Sequence, residues 1–335
     1  MAQDLVLLTG ATGFVGFRIL AELLDQNYKV RLAVRSDSKI DAIKTALPSK
    51  YDADELEFTI VPDLAVANAF DSALKGVKYI IHVAAPGPGP SDDYEATMVK
   101  PSINATLSIL NSALQSPAVK KVVITSSVAA VMPSEPKVFD ADNILPDPEG
   151  PYTHPFWAYC ASKQLALSAT RRFIAEKNPH FDVISVMPSF VLGPNGFAKG
   201  KEDYTEGGAS NRNGLASLLG IMLDEPRPGI VCHVDDVAVV HVKALNAEVK
   251  GHQNFGVTFD GPNVIEWNDA QGIVKKKLPE LVEKGVFPLG GNVVSPPLPY
   301  VAAKTEQALG IKFKSFEEMI VDLASAYARI VSEKS

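Results

Sequence analysis

Cysteine is scarce in this sequence. The 2 cysteines among 335 residues, Cys160 and Cys232, lie far apart, with no CxxC spacing and no neighbouring histidine or cysteine to complete a metal site. That pattern excludes a disulfide scaffold and a structural zinc, and it suits reduced thiols and a cytoplasmic location. There is no apolar run of about 18 residues such as a membrane-spanning helix needs. The N-terminus, MAQDLVLL, carries an acid at Asp4 and no basic stretch ahead of a long apolar core, so no secretory signal is expected. Positive charge is sparse as well. The formal net charge is -7, and the densest basic run, Lys275 to Lys277, reads as the solvated face of a helix continuing into Leu278. Neither nucleic acid nor membrane is expected as a partner.

The hydrophobic content of 46% and charged content of 21% are those of a globular protein, with length for about two domains. The first half alternates short β-branched runs with amphipathic helical patterns, the rhythm of βαβ units around a parallel sheet. Strands are expected near Asp4–Thr9, Lys29–Val34, Glu57–Val61, Lys78–Val83, Lys121–Ser126 and Asp182–Met187. Helices are expected near Phe14–Gln26, Ser38–Leu47, Asn68–Leu74, Tyr94–Gln115 and Pro155–Lys177. The fold class that follows is α/β, a Rossmann-type doubly wound parallel sheet. Beyond Met187 the chain becomes rich in glycine and proline, Gly207 and Gly208 included, which points to a smaller C-terminal substrate-binding domain. The partition expected is residues 1–188 for the dinucleotide-binding part and 189–335 for the smaller one. A strand within 229–261, at Asn254–Phe259, rejoins the main sheet, and a further strand is read at Ile230–Val234.

The first strand runs into Gly10-Ala11-Thr12-Gly13-Phe14-Val15-Gly16 and then into a helix. Gly10 serves a tight turn, Gly13 lets backbone approach a pyrophosphate, and Gly16 allows close packing of helix on sheet. Unpaired N–H groups at the helix start, about Thr12, Phe14 and Val15, then face the phosphates. An NAD site places an acid at the end of the second strand, where this chain has Arg35 and, one turn on, Lys39; both can reach a 2'-phosphate, so NADP+ or NADPH is the expected cofactor. After the third strand, Asp63 and Leu64 lie where an adenine would sit, although Asp63 equally suits a helix cap.

Tyr159 and Lys163, four residues apart, share one face of a helix between the fifth and sixth strands. Chance supplies about 0.6 Tyr-x-x-x-Lys pairs in a chain of this composition. A second pair, Tyr300 and Lys304, follows a proline-rich stretch away from any dinucleotide element and is taken as the chance match. The fifth strand ends in Ser126-Ser127, at the carboxyl edge where α/β sheets bind ligands.

In this order and spacing the motifs resemble the extended short-chain dehydrogenase/reductases, most closely their dihydroflavonol-reductase-like branch, which includes fungal aldehyde and ketone reductases. The similarity is carried by TGATGFVG, VRLAVRSDSK, the strand end Ile81-His82-Val83-Ala84-Ala85-Pro86, KKVVITSSVAAV, YCASK, MPSFVLGP and HVDDVAVVH. It implies a catalytic triad of Ser127, Tyr159 and Lys163, a cofactor strand end at Ala84, and backbone after Pro188, near Val191, holding the nicotinamide carboxamide. It also implies reduction of an aldehyde or ketone with apolar substituents, Tyr159 giving the proton.

Two other classes compete with this expectation. A nucleotide-sugar epimerase or dehydratase shares fold and triad but retains NAD; Arg35 and Lys39 argue against it, and Pro194 to Asn213 offers no evident basic cluster for a sugar diphosphate. A non-catalytic NADP-sensing regulator is disfavoured by the intact Tyr159/Lys163 pair. His233, Asp235, Asp236 and His241 invite a metal reading, but Asp236 better suits the cap of a helix Val237–Ala247. His82 and His154 are read as structural or loop residues, and Cys160 as pointing away from the cleft. Phe156, Trp157, Phe190, Phe197 and Tyr204 are available for an apolar wall, some of them belonging to the core. The resemblance also implies that the helices Tyr94–Gln115 and Pro155–Lys177 are those that pair in many dimers of the family; the second has a polar outer face in Gln164, Ser168, Arg171 and Arg172, which favours a monomer slightly over a homodimer.

Overall fold

Period-2 alternation along each strand sends side chains to opposite faces, and both faces here are apolar, which requires cover on both sides. In β1 (Leu5–Thr9), Val6 and Leu8 enter one core and Leu7 the other. The computed structural model, which describes residues 3–85, 91–135, 137–206, 210–261 and 265–332, shows how that cover is supplied.

A seven-stranded parallel sheet runs in the order β3-β2-β1-β4-β5-β6-β9. Its members after β1 are β2 (Lys29–Val34), β3 (Glu57–Ile60), β4 (Tyr79–His82), β5 (Lys121–Thr125), β6 (Asp182–Pro188) and β9 (Gln253–Val257). On one face lie α1 (Phe14–Asp25) and, from far along the chain, α7 (Val234–Lys243), packed against each other. The other face carries α3 (Lys100–Leu114), preceded by one π-helical turn (Glu95–Val99), and α4 (Pro155–Lys177). The short α2 (Asp37–Ala46) follows β2. Strand order reverses between β1 and β4, and the crevice at such a point is where open α/β sheets bind ligands.

The sheet is completed out of sequence. Residues 253–257 pair with β6 from Ile184↔Gln253 to Pro188↔Val257. Between β6 and β9 the chain forms β7 (Phe190–Leu192), α5 (Glu202–Thr205), α6 (Asn211–Ala216) and β8 (Val231–His233), with β7 and β8 making a separate two-stranded sheet. A second core, around Trp267, Phe287, Met319 and Leu323, joins these to α8 (Asp269–Lys277), α9 (Pro279–Glu283) and α11 (Phe316–Ser332). α10 (Ala303–Leu309) packs beside β9.

Three expectations are corrected. The stretch Asn68–Leu74 is a run of tight turns and not a helix. Asn68 takes a left-handed φ of 64°, and the chain closes mainly in three-residue steps such as Asp71 N–H to the Asn68 carbonyl. The apolar spacing was real, since Phe70, Ala73, Leu74 and Val77 are buried against the sheet. The helix expected at Val237–Ala247 starts earlier, at Val234, because His233 caps it by accepting from Asp235 N–H, which leaves Asp236 inside the first turn. Phe190–Leu192, with weak strand signals in sequence, is a strand because β8 offers it a partner. Pro86, Gly207 and Gly208 lie outside the described residues.

Candidate active site

The turn after β1 is closed by Gly13 N–H donating to the Gly10 carbonyl at 3.0 Å, with Gly10 at φ 78°. A Cβ on Gly16 would stand 2.1 Å from the Gly10 oxygen, so α1 reaches the turn only because that position lacks one. The N-terminus of α1 has no side-chain cap and no acid in its first turn. Its first N–H groups therefore point, uncapped by any side chain, into a cleft of about 540 Å³. Such a terminus has the chemistry to hold a diphosphate.

The cleft collects almost every residue expected from sequence. Gly10, Thr12, Gly13, Phe14, Val15, Gly16, Arg35, Lys39, Leu64 and Ala84 line one end, and Ser127, Tyr159, Lys163, Pro188 and Val191 the other. Arg35 and Lys39 are exposed and enter no ion pair among the described residues. Asp63 is the exception. It is outside the lining because its carboxylate accepts from Ala65 N–H at 2.8 Å, closing an Asx turn on its own backbone.

At the other end, α4 brings Tyr159 and Lys163 side by side, the ammonium 5.8 Å from the phenol ring centroid. Burial raises the Tyr159 phenol above its usual range, and the Ser127 hydroxyl facing it pulls the other way. Burial alone brings the Lys163 ammonium down to about 8; among the described residues its acceptor is the Thr125 carbonyl at 3.5 Å. Thr9, at the end of β1, ties down the neighbouring strand end. Its hydroxyl accepts from Val83 and Ala84 N–H, both at 3.1 Å, and so gives its single hydrogen to His82 Nδ1 at 3.0 Å. His82 is then neutral with Nε2 protonated, consistent with a pKa lowered to about 4 by burial and, secondarily, by the Lys163 charge.

Other singled-out groups lie elsewhere. Tyr300 donates to the Met187 carbonyl at 3.0 Å and Lys304 pairs with Asp142 at 2.7 Å, both away from the cleft lining. His233 and Asp235 belong to a network in which Asp235 pairs with Arg18 of α1 and with Lys314, while Asp236 accepts from Lys314 N–H. His154 caps α4 by accepting from Phe156 N–H. Cys160 is buried, its thiol pushed up to about 12. Of the aromatic residues considered for a wall, Phe190 packs on Trp267, Phe197 on Phe17 and Tyr204 on Tyr327, whereas Phe156 and Trp157 are exposed. The stretch 194–213 does contain Lys199, Lys201 and Arg212, but all three are exposed and outside the cleft lining. Sequence reasoning missed Ser189 and Ser210, which also line the cleft. Ser210 arrives from the second core with no motif to announce it.

A model of the NAD dependent epimerase/dehydratase family matches residues 6–256. Ketoreductase CTB6 of Cercospora nicotianae is 36% identical over 98% of this chain and 96% of its own length. Aldehyde reductase 2 of Sporidiobolus salmonicolor is 28% identical over 96% of each. Among solved structures, the yeast methylglyoxal/isovaleraldehyde reductase Gre2 complexed with NADPH superimposes with a TM-score of 0.79 at 26% identity, covering 98% of this chain and 99% of that one. With a glycine cradle, a Tyr-Lys pair on α4 and a family match over most of its length, the chain belongs to the NAD dependent epimerase/dehydratase family, that is, to the extended short-chain dehydrogenase/reductases its motifs resemble.

Proposed function

We propose that this protein is a cytoplasmic, NADPH-dependent carbonyl reductase converting an aldehyde or ketone with apolar substituents to the alcohol. The observation that carries the reading is one cleft in which Ser127, Tyr159 and Lys163 stand at one end and, at the other, Arg35 and Lys39, two cations that enter no ion pair among the described residues. Those cations suit a 2'-phosphate and disfavour the NAD-retaining epimerase or dehydratase alternative. When bound, NADPH supplies the hydride that reaches the carbonyl carbon. Tyr159 donates its phenolic proton to the carbonyl oxygen as charge develops there, and Ser127 holds that oxygen by a hydrogen bond. Lys163 lowers the cost of the phenolate by its charge, and its position lets it hold the nicotinamide ribose as well. Residues 189–335, apart from β9 and from α7 and α10, which pack on the main sheet, form the substrate side.

A screen of NADPH oxidation over aldehydes, diketones, ketoesters and aryl ketones tests the activity. Tyr159→Phe should cost more than tenfold in rate, above about 1.4 kcal/mol, with NADPH binding nearly intact; a variant keeping more than a tenth of the rate would remove Tyr159 as proton donor.

The protein is proposed to be a monomer. The polar side chains of α4 are engaged by their own chain, Gln164 donating to the Pro146 carbonyl, Arg171 to that of Asn143 at 3.4 Å, and the exposed Arg172 pairing with Asp147 at 2.8 Å. Light scattering should give 35.9 kDa, and a mass twice that would overturn the assignment.

A further inference from the structure

His241 lies on α7, outside the cleft lining, and is fully buried. Its Nδ1 is 2.7 Å from the Val237 carbonyl, which can only accept, so Nδ1 carries the hydrogen. Nε2 is therefore the acceptor, and the atom it faces, Thr125 Oγ1 at 2.7 Å, must donate to it. The carbonyl of that same Thr125 is the protein acceptor for the Lys163 ammonium. The chain of contacts thus runs from α7 through the end of β5 to α4. The other end of β5 is held by the segment that leaves α7: Lys121, at the strand start, donates to the carbonyls of Ala244, Asn246 and Val249. Gripped at both ends, β5 has its register against α7 fixed, and with it the height at which Thr125 meets Lys163.

We infer that His241 is a positioning residue for Lys163, acting through Thr125 as a neutral imidazole of fixed tautomer; the inference rests on the carbonyl reductase reading. Its pKa, lowered to about 4 by burial, keeps it an acceptor throughout the neutral range. Among the described residues no charged group contacts the ring. Around Lys163 the titratable neighbours are Tyr159 on the same helix and His82 on β4.

The test compares His241→Leu, His241→Gln, Thr125→Val and the His241→Leu/Thr125→Val double variant. Kd for NADPH, the pH profile of kcat and the melting temperature are measured for each. With the anchor lost, Lys163 gains freedom and water, so its pKa rises and the alkaline limb of the profile moves to higher pH, by about half a unit. His241→Leu should lower kcat about tenfold and weaken NADPH severalfold, His241→Gln, which keeps an acceptor at the Nε2 position, should recover most of both, and the double variant should be no worse than either single one. A His241→Leu protein that melts lower but keeps the wild-type kcat, Kd and limb would overturn the inference, as would additive losses in the double variant. If His241→Leu does not fold, His241→Gln and Thr125→Val decide the matter by the same profile. Absence of any carbonyl turnover in the unmodified protein would defeat the reductase reading instead, and the Kd comparison would still judge the coupling of His241 to Lys163.

Discussion

Placing a methyl group at Gly16 should dismantle cofactor binding, and the structure gives the scale of the effect. A Cβ there would lie 2.1 Å from the Gly10 oxygen and 2.6 Å from its carbonyl carbon, both backbone atoms at a turn that Gly10 holds with φ 78°. Real Cβ contacts of under 3.0 Å are essentially unknown, so helix and turn must separate by about 1 Å, and a displacement of that size at a binding constellation costs about 100-fold. The strain itself adds about 1–3 kcal/mol of destabilisation. Fluorescence titration of Gly16→Ala with NADPH should therefore show Kd raised about 100-fold, with a lower melting temperature. Gly272→Ala, in α8 with open space around the added Cβ, is the matched control and should be neutral or stabilising by up to about 1 kcal/mol. Binding by Gly16→Ala within threefold of the unmodified protein would refute the assignment of this turn to the diphosphate.

Arg35→Ala should weaken NADPH by about 1–3 kcal/mol while leaving NADH almost unchanged, since only the former has a phosphate to lose; equal losses would sink the NADP assignment. Acid should destabilise the fold before most carboxylates titrate. His82 and His241 are each lowered to about 4 in the folded state, chiefly by burial, against about 6.5 unfolded, so their stabilisation is complete above pH 6.5 and is lost as pH falls toward 4, by up to about 3 kcal/mol apiece. Urea midpoints that stay level across that window would contradict their buried, neutral state. Tyr300→Phe removes one donor from the Met187 carbonyl, which keeps its place in the β6–β9 ladder, and should cost about 1 kcal/mol of stability; a large fall in kcat with unchanged stability would mean Tyr300 takes part in the chemistry.

The parts of the site legible in sequence are those that a local pattern specifies. The turn Gly10–Gly16 depends on residues within one strand-turn-helix unit, and Tyr159 and Lys163 on the pitch of one helix, so local spacing, read with the position of that helix between the fifth and sixth strands, located both. Asp63 was ambiguous because a short carboxylate satisfies an adenine amine and its own Ala65 N–H equally well, and the nearer donor has it. Asn68 shows the limit of periodicity: buried positions recur at helical spacing, yet one left-handed residue turns the backbone aside. Two contacts had no signal at all. Thr125 meets His241 across 116 positions, and Ser210 reaches the cleft from the second core, so both depend on tertiary placement.

The out-of-order strand has a consequence for biosynthesis. A nascent chain that has emerged only as far as Pro188 holds six of the seven strands, and β6 is then an edge, its outward N–H and C=O groups open to any other strand. The residues that close it, Gln253–Val257, follow after about 65 more, which at about 5–20 residues per second means roughly 3–13 seconds of exposure on the ribosome. A fragment cut within the intervening segment never closes that edge, so the nucleotide-binding half expressed alone should aggregate, and a soluble version would have to carry the 253–257 segment grafted beside β6.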